Sequence, residues 1–194
     1  MAEAVRADAR RNYEHLLAVA GEAFAEHGTD ASLRDVARRA GVGIGTLYRH
    51  FPTRETLLEA LMSSRFDVLR ASAEDLLGAP SPRDGLLAWL REFAVGSTAY
   101  RGLPESVMTA LREESSELHA SCHAMRAAGG RLLARAQESG AVRADLTAGE
   151  LLALVAGIAW ASEQSAEPTG MIDRMLSLTT TGIAADRPAD TTPA

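Results

Sequence analysis

Two short helix-forming stretches on either side of a glycine-containing turn restrict the fold of this chain more than any other feature. Residues 32–51 read SLRDVARRAGVGIGTLYRHF, with small or apolar residues where two crossing helices would touch. Gly41 can adopt the positive φ that a tight turn between helices requires. The spacing predicts helices over 33–39 and 44–50 joined as a helix-turn-helix, whose second helix can enter the major groove of DNA. By spacing alone, a simple helical hairpin is an equally good interpretation.

The distribution of charge favours the first interpretation. Five arginines and one aspartate lie between Ser32 and Arg54, so this segment carries a net charge of +4. The whole chain of 194 residues carries −6, which leaves −10 for the remainder. A local basic patch on an acidic protein is suited to phosphate groups, although the overall charge argues against a protein that coats nucleic acid. The run Tyr48–Phe51 adds to the DNA-binding interpretation.

The rest of the sequence predicts helices and no strand. Alternating β-branched or aromatic runs are rare, and helix starts are marked by Ser32 with Asp35 and by Thr147 with Glu150. The fold class is therefore all-α, with a helix-turn-helix domain over 1–53 and a second helical domain over 54–184. A flexible tail is expected over 185–194. The nine predicted helices lie at 9–27, 33–39, 44–50, 54–77, 82–100, 104–114, 117–139, 148–165 and 170–184.

The sequence lacks the motifs that are typical of nucleotide-binding proteins and of common enzyme classes. Glycines 41, 43 and 45 could cradle a nucleotide phosphate only after a strand, with an acid on a following strand, and neither is predicted. The chain contains no G-x-S-x-G elbow, P-loop or H-E-x-x-H motif, so we expect no enzyme and no cofactor. A helical adaptor for other proteins, or a small helical enzyme without DNA binding, is the alternative. An adaptor, however, has no use for the basic patch.

The cellular compartment is predicted from three absences. One cysteine, Cys122, cannot form an internal disulfide, and no basic region precedes an apolar stretch as in a signal peptide. The longest apolar run, residues 151–161, has about half of the roughly 20 residues that a membrane-spanning helix needs. We expect a soluble, cytoplasmic protein with no membrane partner.

From about residue 10 to residue 58, the chain resembles the DNA-binding domain of the tetracycline-repressor (TetR) family of bacterial transcriptional regulators. The matching residues are Ala23-Phe24, Gly28, Ser32 to Ala37, Ala40-Gly41-Val42, Gly45 to Tyr48, His50-Phe51 and Thr53 to Leu57. The resemblance implies a homodimeric repressor that an unknown small-molecule effector releases from a palindromic operator in double-stranded DNA. It also implies that residues 54–184 form the regulatory and dimerisation domain, with 54–77 as the connecting helix.

The resemblance implies a set of DNA contacts on and around the second helix of the motif. Residues at its start reach base edges, and other residues contact phosphates through a hydroxyl, a ring N–H or a guanidinium. Thr46 is the strongest candidate for base readout, whereas Leu47 and Phe51 are expected in the core. The implied DNA-binding residues are Ser32, Arg34, Ile44, Gly45, Thr46, Tyr48, Arg49, His50 and Arg54.

The helix predicted at 148–165 is apolar on nearly every side and must be covered all round. In a chain this short, that indicates its own core on one side and a second subunit on the other; the alternative is a helix wholly inside the core. The resemblance implies a four-helix dimer interface formed by this helix and the one at 170–184, which would set two recognition helices one DNA turn apart. The predicted interface residues are Leu151, Leu154, Val155, Gly157, Ile158, Ala161, Ile172 and Met175.

The helices predicted at 82–100, 104–114 and 117–139 would enclose a regulatory pocket, although a stripe of large side chains is more often core. Effector binding there is expected to shift the connecting helix and change the separation of the recognition helices. The candidate pocket residues are Trp89, Phe93, Tyr100, Met108, His119, His123, Met125 and Trp160.

The helix predicted at 117–139 has two further features, a pair of histidines and a pair of glycines. His119 and His123 are four residues apart with Cys122 between them, a spacing that could hold a metal ion. Polar groups in a pocket or on the surface are the favoured interpretation, so no metal is predicted. Gly129 and Gly130 each cost a helix about 1 kcal/mol relative to alanine, which predicts a kink or a close contact there.

Overall fold

The computed structural model describes residues 2–97 and 103–183, and in these ranges it contains helices and no strand. The all-α prediction is confirmed. Tyr100 and residues 185–194, for which a pocket contact and a tail were predicted, lie outside the described residues. The helices are α1 (Ala2–His27), α2 (Leu33–Arg39), α3 (Ile44–His50), α4 (Arg54–Leu76), α5 (Pro82–Ser97), α6 (Glu105–Arg112), α7 (Glu117–Glu138), α8 (Ala148–Ser162) and α9 (Pro168–Ile183), with a 3-10 turn at Gly28–Asp30.

The observed helix boundaries agree with the predicted ones where a capping residue marks the start of the helix. Ser32 accepts a hydrogen bond from the Asp35 backbone N–H at 3.4 Å, and α2 and α3 have the predicted limits. At the start of α8, the Glu150 N–H donates to Thr147 Oγ1 at 3.2 Å, while the Glu150 carboxylate accepts from the Thr147 N–H at 2.9 Å. Hydrogen bonds from the Thr147 hydroxyl and backbone lower the pKa of Glu150.

The remaining differences lie at helix ends without such marks. Helix α1 extends to Ala2 instead of starting at residue 9, and the 3-10 turn after it was not predicted. Helix α9 begins at Pro168 instead of residue 170, because proline fits the first turn, where its missing N–H has no helical partner to lose. No helix within the described ranges is both long and apolar enough to cross a bilayer.

The chain divides into two compact units. The described part of unit 1 comprises residues 2–68 and 103–124, and that of unit 2 comprises residues 69–97 and 125–183. This grouping differs from the predicted boundary after residue 53, because it joins α6 and the start of α7 to the helix-turn-helix. Helix α4 contributes its residues up to Val68 to unit 1 and the following residues to unit 2.

Unit 1 has one hydrophobic core that includes α6 and α7. Leu16, Phe24 and Leu47 are buried in it, and so are Val107 of α6 and Leu118 of α7. Helices of seven residues such as α2 and α3 are marginal alone in water, so this packing stabilises them. Between them, Gly41 has φ +67°, which an L side chain rarely adopts.

Unit 2 is built around Trp89 of α5. Its indole N–H donates to the Leu69 carbonyl at 2.8 Å, and the side chain is almost completely buried. The ring lies so close to α7 that a Cβ on Gly129 would come within 2.2 Å of it. The predicted close contact at Gly129 is therefore confirmed. Across α5 and α9, the Arg91 guanidinium pairs with both carboxylate oxygens of Asp173, at 2.5 and 3.0 Å.

Candidate nucleic-acid interface

One side of helix α3 is buried in the core of unit 1, and the opposite side is exposed to solvent. Leu47 is fully buried in the core of unit 1, and Phe51, just after the helix, is 2% exposed. The opposite side of α3 consists of Gly45, Thr46, Tyr48 and Arg49, which we call the α3 ridge. The Tyr48 side chain is 47% exposed, Gly45 and Arg49 are exposed, and Thr46 is partly so. A helix with a fixed base and an open ridge can enter a DNA groove as a rigid body.

None of the nine residues predicted to bind DNA is buried, and all belong to unit 1. They differ in how much of each side chain faces solvent. Ile44, Thr46, His50 and Arg54 are half-buried, and Ile44 packs against the core of unit 1. The exposed residues are Ser32, Arg34, Gly45, Tyr48 and Arg49.

Two of the five arginines in the basic segment form surface ion pairs with acidic side chains of the same chain. Arg38 Nη2 lies 2.9 Å from Asp35 Oδ1, and Arg39 Nη1 lies 2.7 Å from Glu26 Oε2. The hydrogen bond from Arg38 lowers the pKa of the Asp35 carboxyl, so that carboxylate stays ionised. The net charge of +4 read from the sequence therefore overstates what the surface offers to phosphates, since Glu26 also lies against the segment.

Arg54 does something that its sequence position did not predict. Its Nη1 donates to the backbone carbonyls of Thr29 and Ala31, both at 2.7 Å, and its guanidinium carbon lies 6.0 Å from the centre of the Phe24 ring. The first residue of α4 thus holds the connection between α1 and α2. Because these partners are 23 and 25 residues away, no local pattern could have revealed them.

Arg34 and Arg49 are the two remaining cations of the segment. Both are exposed, and neither forms an ion pair with a described acidic side chain. Leaving an arginine unpaired on a surface costs little in water, and it keeps the five guanidinium donors free for an external anion. These two residues are the strongest phosphate-binding candidates in the structure.

Tyr13 of α1 positions the end of α3 and was missed by the sequence analysis. Its ring centre lies 6.0 Å from that of His50, edge to face, and 5.0 Å from that of Phe51. Burial, followed by the nearby carboxylate of Glu117, raises the pKa of the Tyr13 hydroxyl. An aromatic residue in an amphipathic helix is an ordinary core candidate, so only tertiary packing distinguishes this contact.

Neither backbone conformation nor close packing requires glycine at positions 43 and 45. Neither has a positive φ, and apart from the adjacent residues and the backbone of α3 itself, a Cβ at either position would meet no atom of the described protein within 4 Å. Glycine within a helix costs about 1 kcal/mol relative to alanine, and Gly45 lies inside α3. The open space at the α3 ridge is therefore available to a molecule outside the chain.

The predicted dimer-interface residues separate into two groups. Leu151, Val155, Ile158 and Ile172 are at most 3% exposed within the protomer. They form part of the core of unit 2, where α8 packs on α5 and α9, and their side chains offer no surface to a second subunit. This is a correction to the predicted interface. Of the others, Leu154, Gly157 and Ala161 are exposed and Met175 is half-buried.

Large apolar side chains nevertheless remain uncovered on α8 and α9. Leu154 and Trp160 of α8 and Met171 and Leu178 of α9 are all exposed, and Trp160 reaches 70%. We call these four residues the α8–α9 apolar surface. Leu154 and Leu178 also line an open cleft of about 480 Å³ with Thr179, Leu146 and the charged residues Arg143, Asp145 and Glu150.

The predicted pocket residues are distributed over both units. Trp89 and Met125 are buried in unit 2, and Phe93 stacks on Trp89 with 6.1 Å between ring centres. In unit 1, Met108 and His119 are half-buried and His123 is exposed. Trp160 lies on the surface of unit 2, so it does not line an enclosed cavity of the protomer. Among the residues that the structure describes, no group of three or more His, Cys, Asp or Glu could hold a metal ion.

Two family models match the chain. The model described as bacterial regulatory proteins of the tetR family matches residues 16–61, which include α2, α3 and the start of α4. The model described as the C-terminal domain of SbtR-like transcriptional regulators matches residues 81–185, more than half of the chain.

Solved structures and curated sequences give the same result. A TetR transcriptional regulator, SCO0520 from Streptomyces coelicolor, is 33% identical with a TM-score of 0.73, and the match covers 90% of this chain and 99% of that one. A TetR transcription regulatory protein from Mycobacterium vanbaalenii is 32% identical with a TM-score of 0.64, covering 93% and 99%. The HTH-type transcriptional regulator SAR0097 of Staphylococcus aureus is 39% identical over 75 residues. That match spans 37% of this chain and only 39% of the relative.

Proposed function

This chain belongs to the TetR family of bacterial transcriptional regulators, and on that basis we propose that it is a homodimeric repressor released from a palindromic operator by a small-molecule effector. Membership of the family makes it a DNA-binding regulator and not an enzyme. The observation that carries the proposal is the α3 ridge, which stands exposed on a buried base. A cytoplasmic location follows from the proposal, because the operator would lie in chromosomal DNA.

Each protomer would contact one half-site. Thr46, with Ile44 and the bare backbone at Gly45, would face base edges in the major groove. Arg34 and Arg49 would neutralise phosphates, and the hydroxyls of Ser32 and Tyr48 would donate to phosphate oxygens. His50 would contact a phosphate with its orientation set by Tyr13. Arg54 would support the interface by fixing the α1–α2 connection.

The salt dependence of DNA binding tests the phosphate contacts. The operator is first obtained by selecting bound genomic fragments with the purified protein. Each neutralised phosphate contributes about 0.9 to the slope of log affinity against log salt concentration, so Arg49→Gln should reduce the slope of a dimer by about 2. Arg112→Gln is the matched control, because it removes the same charge from an exposed position on α6 of unit 1. An Arg49→Gln slope equal to that of the control would contradict the assignment.

A second copy of the chain would cover the α8–α9 apolar surface. Several large apolar side chains exposed on neighbouring helices are typical of protein–protein interfaces. Trp160 is 70% exposed, and tryptophan is among the residues that contribute most to binding energy at such interfaces. The corrected interface therefore retains Leu154, Gly157, Ala161 and Met175 and adds Trp160, Met171 and Leu178. Two protomers joined there would read the two halves of a palindrome.

Tryptophan fluorescence tests this interface in the unmodified protein. The chain has two tryptophans, of which Trp89 is buried and Trp160 is exposed in the protomer. In a dimer, quenching by acrylamide should be as weak as for a fully buried indole, and it should rise on dilution as Trp160 becomes accessible. Strong quenching at a concentration where sedimentation shows a dimer would contradict this use of the surface.

Release by an effector requires two states with different effector affinities. Helix α4 is the proposed connection, because its first residues belong to unit 1 and its last residues to unit 2. An effector that binds unit 2 in one position of α4 would lower the population of the DNA-binding state. Titration of the operator complex with small molecules that raise the melting temperature should release the DNA; operator affinity unchanged by every such molecule would contradict the switch.

A further inference from the structure

The junction between α6 and α7 is held by the side chains of Ser116, just before α7, and of His119 in its first turn. The Ser116 hydroxyl donates to the Ala110 carbonyl and accepts from the His119 N–H at 3.0 Å. His119 Nδ1 lies 3.0 Å from the Leu111 carbonyl oxygen. A carbonyl can only accept, so Nδ1 carries the proton and the neutral ring has its lone pair on Nε2. The last carbonyls of α6 therefore determine the tautomer of His119.

His123 lies one helical turn further along α7. Its ring is stacked with that of His119, with 6.5 Å between ring centres and 20° between ring planes. His119 is half-buried and His123 is exposed, so the pair lies at the surface of unit 1. The contact with Leu111 explains why His119 is present, but it gives no reason for a second imidazole beside it.

We propose that His119 and His123 form a two-histidine chelate for a divalent transition ion of the Zn²⁺, Ni²⁺ and Cu²⁺ class. Imidazole nitrogen is a preferred ligand of these ions, and side chains at i and i+4 lie on one helix face. A ligating histidine usually donates its other ring N–H to a carbonyl or carboxylate, which is the bond that His119 makes to Leu111. Sequence spacing favoured polar surface groups here, and this bond changes that interpretation.

The geometry needs only a small adjustment at the exposed end. Two nitrogens at about 2.0–2.1 Å from a tetrahedral ion place the ring centres about 5 Å apart. The ring centres are now 6.5 Å apart, so the ring of the exposed His123 must move by about 1 to 2 Å to reach this distance. A rotation of the His123 side chain can supply that movement while His119 keeps its hydrogen bond to Leu111. The described residues provide no cage of three or more ligands, so water completes the coordination and binding is weaker than at a closed structural site.

Calorimetric titration of the full-length protein with Zn²⁺ tests the chelate, because Zn²⁺ undergoes no redox reaction with Cys122. His123→Gln should weaken the affinity at least tenfold, and exposure of His123 makes a folding defect unexpected. His15→Gln is the matched control, an exposed histidine on α1 of the same unit. Affinity unchanged in His123→Gln would overturn the proposal. Affinity lost only in Cys122→Ser would also overturn it, since the metal would then belong to the thiolate. Neither result depends on operator binding.

Discussion

The α3 ridge and the α8–α9 apolar surface are both exposed helix faces above a buried base, yet their chemistry is opposite. The ridge carries two small residues, a tyrosine hydroxyl and an arginine, which suit a hydrated and charged groove. The surface on α8 and α9 carries leucines, a methionine and a tryptophan, which water solvates poorly. Exposure marks both surfaces as candidates for binding, and the kind of side chain exposed is the basis for proposing nucleic acid at one and protein at the other.

The largest expected effect comes from a charge placed on the apolar surface. Trp160→Arg should give a monomer, because a second subunit would have to bury an unpaired guanidinium. Loss of the second half-site should weaken operator binding at least 100-fold, although the α3 ridge is unchanged. Sedimentation and fluorescence anisotropy with labelled operator measure the two effects. Trp160→Phe, which keeps an aromatic side chain, should remain dimeric. A Trp160→Arg variant that is still a dimer would show that the α8–α9 apolar surface is not the dimer interface.

Two glycine substitutions contrast the interior of unit 2 with the ridge. Gly129→Ala should destabilise the protein by about 3 kcal/mol, because its Cβ would overlap the buried ring of Trp89. Gly45→Ala should stabilise it by up to about 1 kcal/mol, since alanine favours helix and meets no obstacle within the chain. Urea unfolding measures both.

On DNA the Gly45→Ala variant should behave in the opposite way. If the backbone at Gly45 approaches base edges closely, the added methyl group should weaken operator affinity about tenfold in spite of the gain in stability. Anisotropy titration at constant salt measures it. Full affinity in this variant would show that the open space at the ridge serves no contact.

Arg54→Ala should act on stability and not on electrostatic attraction. It removes a charged donor from the carbonyls of Thr29 and Ala31, which should cost about 1.5–3 kcal/mol of unfolding free energy. Operator affinity should fall with the weakened α1–α2 connection, while the salt slope should stay within the error of the wild-type value. A slope reduced as in Arg49→Gln would instead assign Arg54 to a phosphate.

The smallest effect concerns the exposed ion pair of unit 2. Hydrogen bonding from Arg91 lowers the pKa of Asp173, so the pair stabilises the folded state above the unfolded aspartate pKa of about 3.9. That contribution is lost as the pH falls through the lower pKa of the folded state. Asp173→Asn should therefore be less stable than wild type at pH 7 by at most about 1 kcal/mol, and the difference should shrink below pH 4. A difference in melting temperature that is constant down to pH 2 would contradict this.

Local signals in the sequence were sufficient for the helices and for the family. The caps at Ser32 and Thr147 and the turn at Gly41 act within a few residues, so α2 and α3 have the predicted limits. The same short-range pattern carries the resemblance to the TetR family, which the matched family models confirm. Exposure of Tyr48 and burial of Leu47 follow from helical periodicity around that turn.

Only the tertiary structure decided which face of α8 is internal, which carbonyls Arg54 binds, and which arginines of the basic segment pair with acidic side chains. A helix that is apolar all round has no periodic signal to distinguish core from interface, so Val155 and Leu154 look alike in sequence although only one is exposed. Likewise, the acid that pairs with Arg39 lies 13 residues away, and the carbonyls that bind Arg54 lie farther still. These pairings depend on how distant segments pack, because a side chain is satisfied by whatever group the fold brings within about 3 Å of it.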